Sequence, residues 1–147
     1  VVDVIGEVRG RRVIIIDDEI DTAGTLIETT RALEREGVHE IYACATHGVL
    51  SDPAVDRLRS SQITEVVLTD TIPLSPSRRL PQIKTLSVAP LIGEAIRRIH
   101  RGESVGALFS SDLELVQEML LWEDGLDGRP ARVAANDVPS AVVAPAG

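Results

Sequence analysis

The residues best suited to chemistry lie in one short stretch, Val13-Ile14-Ile15-Ile16-Asp17-Asp18-Glu19-Ile20-Asp21-Thr22-Ala23-Gly24-Thr25. A β-branched run gives way to four acidic residues, and these give way to small and hydroxyl-bearing residues at a helix start. The first N–H groups of a helix lack internal partners and, with the macrodipole, attract an anion. Ala23 and Gly24 let the backbone approach a ligand, and Thr22 and Thr25 add hydroxyl donors. A phosphate monoester suits that end. The acidic pair Asp17-Asp18 cannot hold phosphate; it suits sugar hydroxyls or a hard cation such as magnesium. Together these features suggest a phosphorylated sugar. Capping offers a plainer account: Asp21 or Thr22 as N-cap, with Thr25-Leu26-Ile27-Glu28 as a capping box. Caps explain one or two of these residues, not four acids ahead of one helix.

Elements that position this stretch follow from periodicity. Val13–Ile16 reads as a strand buried on both faces, as in a parallel sheet. Helical spacing runs from Thr22 to Glu36, with Gly37 placed to stop it. Glu40–Thr46 and Glu65–Leu68 are further strands, and Lys84–Val88 is a short fourth. Asp52-Pro53 opens a short helix to about Leu58, and Ala89–His100 forms another with proline at its start. Val1–Ile5 reads as an N-terminal strand, Gly6–Arg12 as a turn, and Ser104–Phe109 as a last strand. Ser111–Trp122 has amphipathic spacing. The alternation predicts an α/β fold, a parallel sheet with helices on both faces. Ligands of such sheets bind at the strand carboxyl ends, where Asp17-Asp18, Thr46-His47 and Thr69-Asp70-Thr71 all fall. The expected organisation is a sugar-phosphate domain over 1–109, a C-terminal helix over 110–124 and a disordered tail over 125–147.

Composition narrows the class. The chain has 147 residues, 44% hydrophobic but only 2% aromatic, so its core must be aliphatic. A formal net charge of −8 disfavours non-specific binding to nucleic acid or anionic membrane. No apolar run reaches the roughly 20 residues of a membrane span, and no signal peptide opens the chain. The lone Cys44 reads as a small core residue, and no Cys/His cluster has metal spacing. A cytoplasmic location is the expectation. Because it opens on Val1 within a segment that already reads as folded, the chain is expected to be a piece of a longer one.

The stretch DDEIDTAGT after VIII resembles the ribose-5-phosphate motif of the ribose-phosphate pyrophosphokinases (PRPP synthetases). Two further stretches, Ala45–Leu74 and Leu86–His100 followed by SVGALF, are similar to later segments of that family, and the likeness spans about Val4 to Phe109. It implies a phosphoribosyltransferase-like fold in which Asp17, Asp21, Thr22, Ala23, Gly24 and Thr25 bind ribose 5-phosphate. It further implies that Asp17, Asp18 and Asp21 face the ribose hydroxyls, with Asp17 and Asp18 holding magnesium. Family enzymes move a pyrophosphoryl group from ATP to the sugar C1 hydroxyl, giving PRPP and AMP. Their ATP-binding residues, metal-binding histidine and catalytic Lys-Arg loop lie upstream of the position of Val1. The chain is therefore expected to be a C-terminal half, inactive alone, without a catalytic residue of its own, and part of a homo-oligomer. Arg9, Arg11 and Arg12 fall in the first turn, not in that loop. Gly106 stands where many members have serine, which puts ADP regulation in doubt. The rival readings are a non-catalytic regulatory paralogue and a phosphoribosyltransferase that uses PRPP. His47 is read as structural, His39 and His100 as surface residues, and Arg78 and Arg79 as a solvated loop.

Overall fold

The computed structural model describes residues 4–109 and 141–143. The chain divides into two compact units, Val1–Leu86 with Val138–Gly147, and Ser87–Asp137.

The first unit is built on five parallel strands: β1 (Arg12–Ile20), β2 (Glu40–Gly48), β3 (Ile63–Thr69), β4 (Ile83–Leu86) and β5 (Ala141–Val143), in the spatial order β4-β3-β2-β1-β5. Two helices, α1 (Gly24–Arg35) and α2 (Ala54–Arg59), return the chain between β1, β2 and β3. Alternate strand residues Val13, Ile15, Ile41, Ala43, Ala45, Val66 and Leu68 join Leu26, Ile27 and Leu33 of α1 and Ala54 and Leu58 of α2 in one aliphatic core. Both helices thus cover the same sheet face. Strand side chains alternate between faces, so Ile14, Tyr42, Cys44 and Val67 point the other way and are only half-buried, and Ile16 is 45% exposed. The run Val13–Ile16 is therefore not buried equally on both sides, as its composition suggests.

Helix α1 stops where expected. Gly37 adopts φ 78°, a left-handed conformation that glycine enters without steric cost. Its N–H donates to the Glu34 carbonyl at 3.0 Å, and the Val38 N–H donates to Leu33 at 3.2 Å, which satisfies carbonyls of the last turn.

The second unit contains α3 (Ala89–Arg101), with proline in its first turn and Gly102 closing it at φ 69°. Residues Val105–Phe109, expected as a strand, form a 3-10 helix. A short apolar run with small residues carries little strand preference of its own. Val4 and Ile5 are not in a strand, and Val1–Asp3 lie outside the described residues. Ala141–Val143, within the tail expected to be disordered, instead pair with Val13–Ile15 and extend the sheet. The helix expected over Ser111–Trp122 lies outside the described residues. Among the described residues no helix is long and apolar enough to cross a membrane.

Candidate functional site

At the carboxyl end of β1 the chain wraps a cleft of about 430 Å³ lined by Asp17 through Leu26. All seven residues singled out from sequence, Asp17, Asp18, Asp21, Thr22, Ala23, Gly24 and Thr25, are on its wall. The strand fixes the acidic end: Asp17 pairs in register with Ala45, and Glu19 with His47. Helix α1 fixes the other end, and its Leu26, Ile27 and Leu33 anchor it in the core.

The helix start settles the capping question. The N-cap residue is Ala23, which makes no side-chain cap bond, and the first turn holds no acidic residue. The Ala23 carbonyl accepts the Ile27 N–H at 3.1 Å, while the N–H groups of Gly24, Thr25 and Leu26 have no partner among the described residues. The capping box does not form. Ala23 sits at φ 58°, ψ 16°, a left-handed conformation that costs an L-residue roughly 1–2 kcal/mol. A left-handed residue directly before a right-handed helix start is the backbone pattern of an anion-binding concavity.

At the acidic end, the Asp18 N–H donates to Asp17 Oδ1 and the Glu19 N–H to Asp18 Oδ1, both at 2.9 Å. Burial pushes the Asp17 carboxyl above its ordinary range; its side-chain bond to Asp18 and that neighbour's charge push the same way, against smaller lowering from backbone N–H groups. The adjacent negative charge that raises Asp17 is also what a divalent cation would relieve. No group of three His, Cys, Asp or Glu side chains converges on a metal position among the described residues.

Across the sheet edge, the Thr71 hydroxyl donates to the Thr46 carbonyl at 2.8 Å and lies 2.9 Å from His47 Nδ1. His47 thus ties the ends of β2 and β3, in line with its structural reading. Arg78 is less free than a solvated loop implies, because its Nη1 donates to the Val49 carbonyl at 2.9 Å.

Arg57 was not legible as a site residue. Its Nη1 donates to the Thr22 carbonyl at 2.8 Å across 35 residues of sequence. The same nitrogen would stand 3.4 Å from a β-carbon on Gly24. Nothing in Asp-Arg-Leu-Arg marks Arg57 over Arg59; only the placement of α2 separates them.

Fold and site together define a parallel α/β domain with an acidic strand end and an open helix start on its carboxyl edge. The model of the phosphoribosyl synthetase-associated domain matches residues 1–110, and the chain belongs to that family. It is similar to a ribose-phosphate pyrophosphokinase of Caldanaerobacter subterraneus subsp. tengcongensis, 57% identical over 110 residues, which cover 75% of this chain and 35% of that protein. A ribose-phosphate pyrophosphokinase of Gloeobacter violaceus is 55% identical over 109 residues, 74% of this chain and 33% of that one. The crystal structure of phosphoribosylpyrophosphate synthetase from Mycobacterium smegmatis superposes with a TM-score of 0.65 at 41% identity, covering 67% of this chain and 33% of that one. The chain thus spans about a third of the length of these relatives. The resemblance drawn from the loop motif and the α/β fold class both hold.

Proposed function

We propose that this chain supplies the ribose-5-phosphate side of a ribose-phosphate diphosphokinase. The observation that carries the reading is the uncapped start of α1, with free N–H groups at Gly24, Thr25 and Leu26, opening into the same cleft as Asp17, Asp18 and Asp21. In this reading the 5-phosphate accepts hydrogen bonds from the backbone of Ala23–Leu26 and the hydroxyls of Thr22 and Thr25. The carboxylates of Asp17, Asp18 and Asp21 accept hydrogen bonds from the ribose hydroxyls and fix which face of the sugar is presented.

The reaction joins the C1 oxygen of ribose 5-phosphate to the β-phosphorus of ATP. The bond from that phosphorus to the α–β bridging oxygen breaks, AMP leaves, and the C1 hydroxyl proton is lost to solvent or a base. Such transfers depend on positioning and charge neutralisation, and this chain's share is to hold the sugar. Magnesium would be held by Asp17 and Asp18, completing its shell with water and substrate oxygens, and would supply charge neutralisation. The groups that handle ATP belong to the remaining two-thirds of the relatives' length. A cytoplasmic homo-oligomer is the setting we assign.

Phosphorus NMR of the purified chain with magnesium-ATP and ribose 5-phosphate tests this. A shifted or broadened sugar-phosphate line without PRPP or AMP is the expected result. Growth of product signals would show that the chain suffices for catalysis. An unperturbed sugar-phosphate line would remove the proposed role.

A further inference from the structure

We infer that Arg57 determines the preference of this site for a phosphorylated sugar, acting as the cation of the phosphate end; the inference rests on the ribose-5-phosphate reading above. A phosphate monoester entering the cleft meets Asp17, Asp18, Glu19 and Asp21 on one wall. Unpaired N–H groups offset only part of that repulsion, since a helix terminus carries about half a unit charge. A full positive charge at the loop is needed, and the residues of the cleft wall itself include none.

Arg57 supplies it from outside the loop. Ala54 and Leu58 of α2 are fully buried in the core and hold that helix in place. Arg57, one residue before Leu58, is turned outward and exposed. Its neighbour Arg59 is neutralised by Asp56 at 2.6 Å. Arg57 instead bonds a neutral carbonyl, that of Thr22, and pairs with no carboxylate among the described residues. One of five guanidinium N–H groups is used, and the remaining fork suits a phosphate. Contact with Thr22 also braces the peptide just before Ala23, the residue held at φ 58°. Nη1 lies 3.4 Å from the position a β-carbon on Gly24 would take, so the guanidinium stands beside the loop.

The test compares ribose 5-phosphate with ribose on the 147-residue chain by calorimetric titration, for wild type, Arg57→Met and Arg57→Lys. Methionine keeps the apolar stem and removes the charge. Arg57→Met is expected to bind ribose 5-phosphate at least tenfold more weakly with ribose binding unchanged, and Arg57→Lys should recover part of the loss. A loss shared equally by both sugars, or none, would overturn the inference while leaving the sugar-phosphate reading intact. If Arg57→Met fails to fold, the lysine variant and salt decide. Wild-type affinity should then fall with ionic strength for the phosphorylated sugar and Arg57→Lys should bind it more weakly; equal affinities and no salt dependence would overturn it. No ribose 5-phosphate binding by the wild type would overturn the underlying reading and this inference together.

Discussion

Gly48 closes the β2 strand against Leu68 of β3: a β-carbon on Gly48 would stand 2.5 Å from Leu68 Cδ1 and 3.3 Å from Leu68 Cγ. Leu68 is 2% exposed within the core, so it has little room to retreat. Gly48 also pairs with Ile20, the last residue of β1 before the phosphate loop. Overpacking of this kind costs about 1–3 kcal/mol. Gly48→Ala should therefore lower the unfolding free energy by that amount, read as a lower urea midpoint with an unchanged slope. A midpoint equal to wild type would show that Leu68 moves freely.

Asp17 makes the site's stability depend on pH. Its folded proton affinity is raised above the ordinary carboxyl value of 3.8, first by burial and then by Asp18. A raised carboxyl contributes stability below its unfolded value, and that contribution is lost as pH rises through the folded value. At neutral pH the chain carries an unfavourable charge, so Asp17→Asn should raise the melting temperature at pH 7. The gain should shrink as the pH falls through the raised folded value and be gone below 3.8. Magnesium should stabilise wild type more than the variant. A variant that melts lower than wild type at pH 7 would contradict the assigned cause.

Ala23 holds a left-handed φ of 58° without a side-chain cap. Glycine adopts that conformation freely but loses more entropy on folding. Ala23 is 4% exposed within the core, so losing its methyl and that entropy together oppose the relief of roughly 1–2 kcal/mol of strain, and Ala23→Gly should stay within about 1 kcal/mol of wild type in chemical denaturation. Ribose 5-phosphate binding should persist, since the backbone supplies the donors. A loss well beyond about 1 kcal/mol would mean that packing of the methyl outweighs the strain it carries.

Glu94 in α3 is held down to about 2, chiefly by its bonds to Arg97 and also by Arg98. Arg98 in turn donates to the Ser104 carbonyl at 3.1 Å. A depressed carboxyl contributes stability above its unfolded value, lost as pH falls through the folded one. Glu94→Gln should reduce helicity by circular dichroism at pH 7 and make no difference near pH 2. An equal effect at both pH values would assign the loss to packing, not charge.

Parallel β1, β2 and β3 were legible because each is an apolar run ending in polar residues, with helical spacing between. The acidic loop was legible because its chemistry is local: strand end, turn and helix start are contiguous. Arg57 was not, because its contact with Thr22 crosses 35 residues and arises only when α2 seats Leu58 in the core. Uneven cover of Ile14 and Ile16 was hidden for a related reason. A β-branched run looks alike whether helices lie on one side or two. β5 has three residues in an Ala-, Val- and Pro-rich tail, too short for any alternation to show.

The most direct measurement follows backbone amide resonances of the chain as ribose 5-phosphate is added. The account requires the largest shifts at Ala23, Gly24, Thr25 and Leu26, with smaller ones at Asp17 and Asp18. Saturating ribose 5-phosphate without shifts at those four amides, or with its main effects elsewhere, would contradict the assignment of the uncapped helix start as the phosphate site.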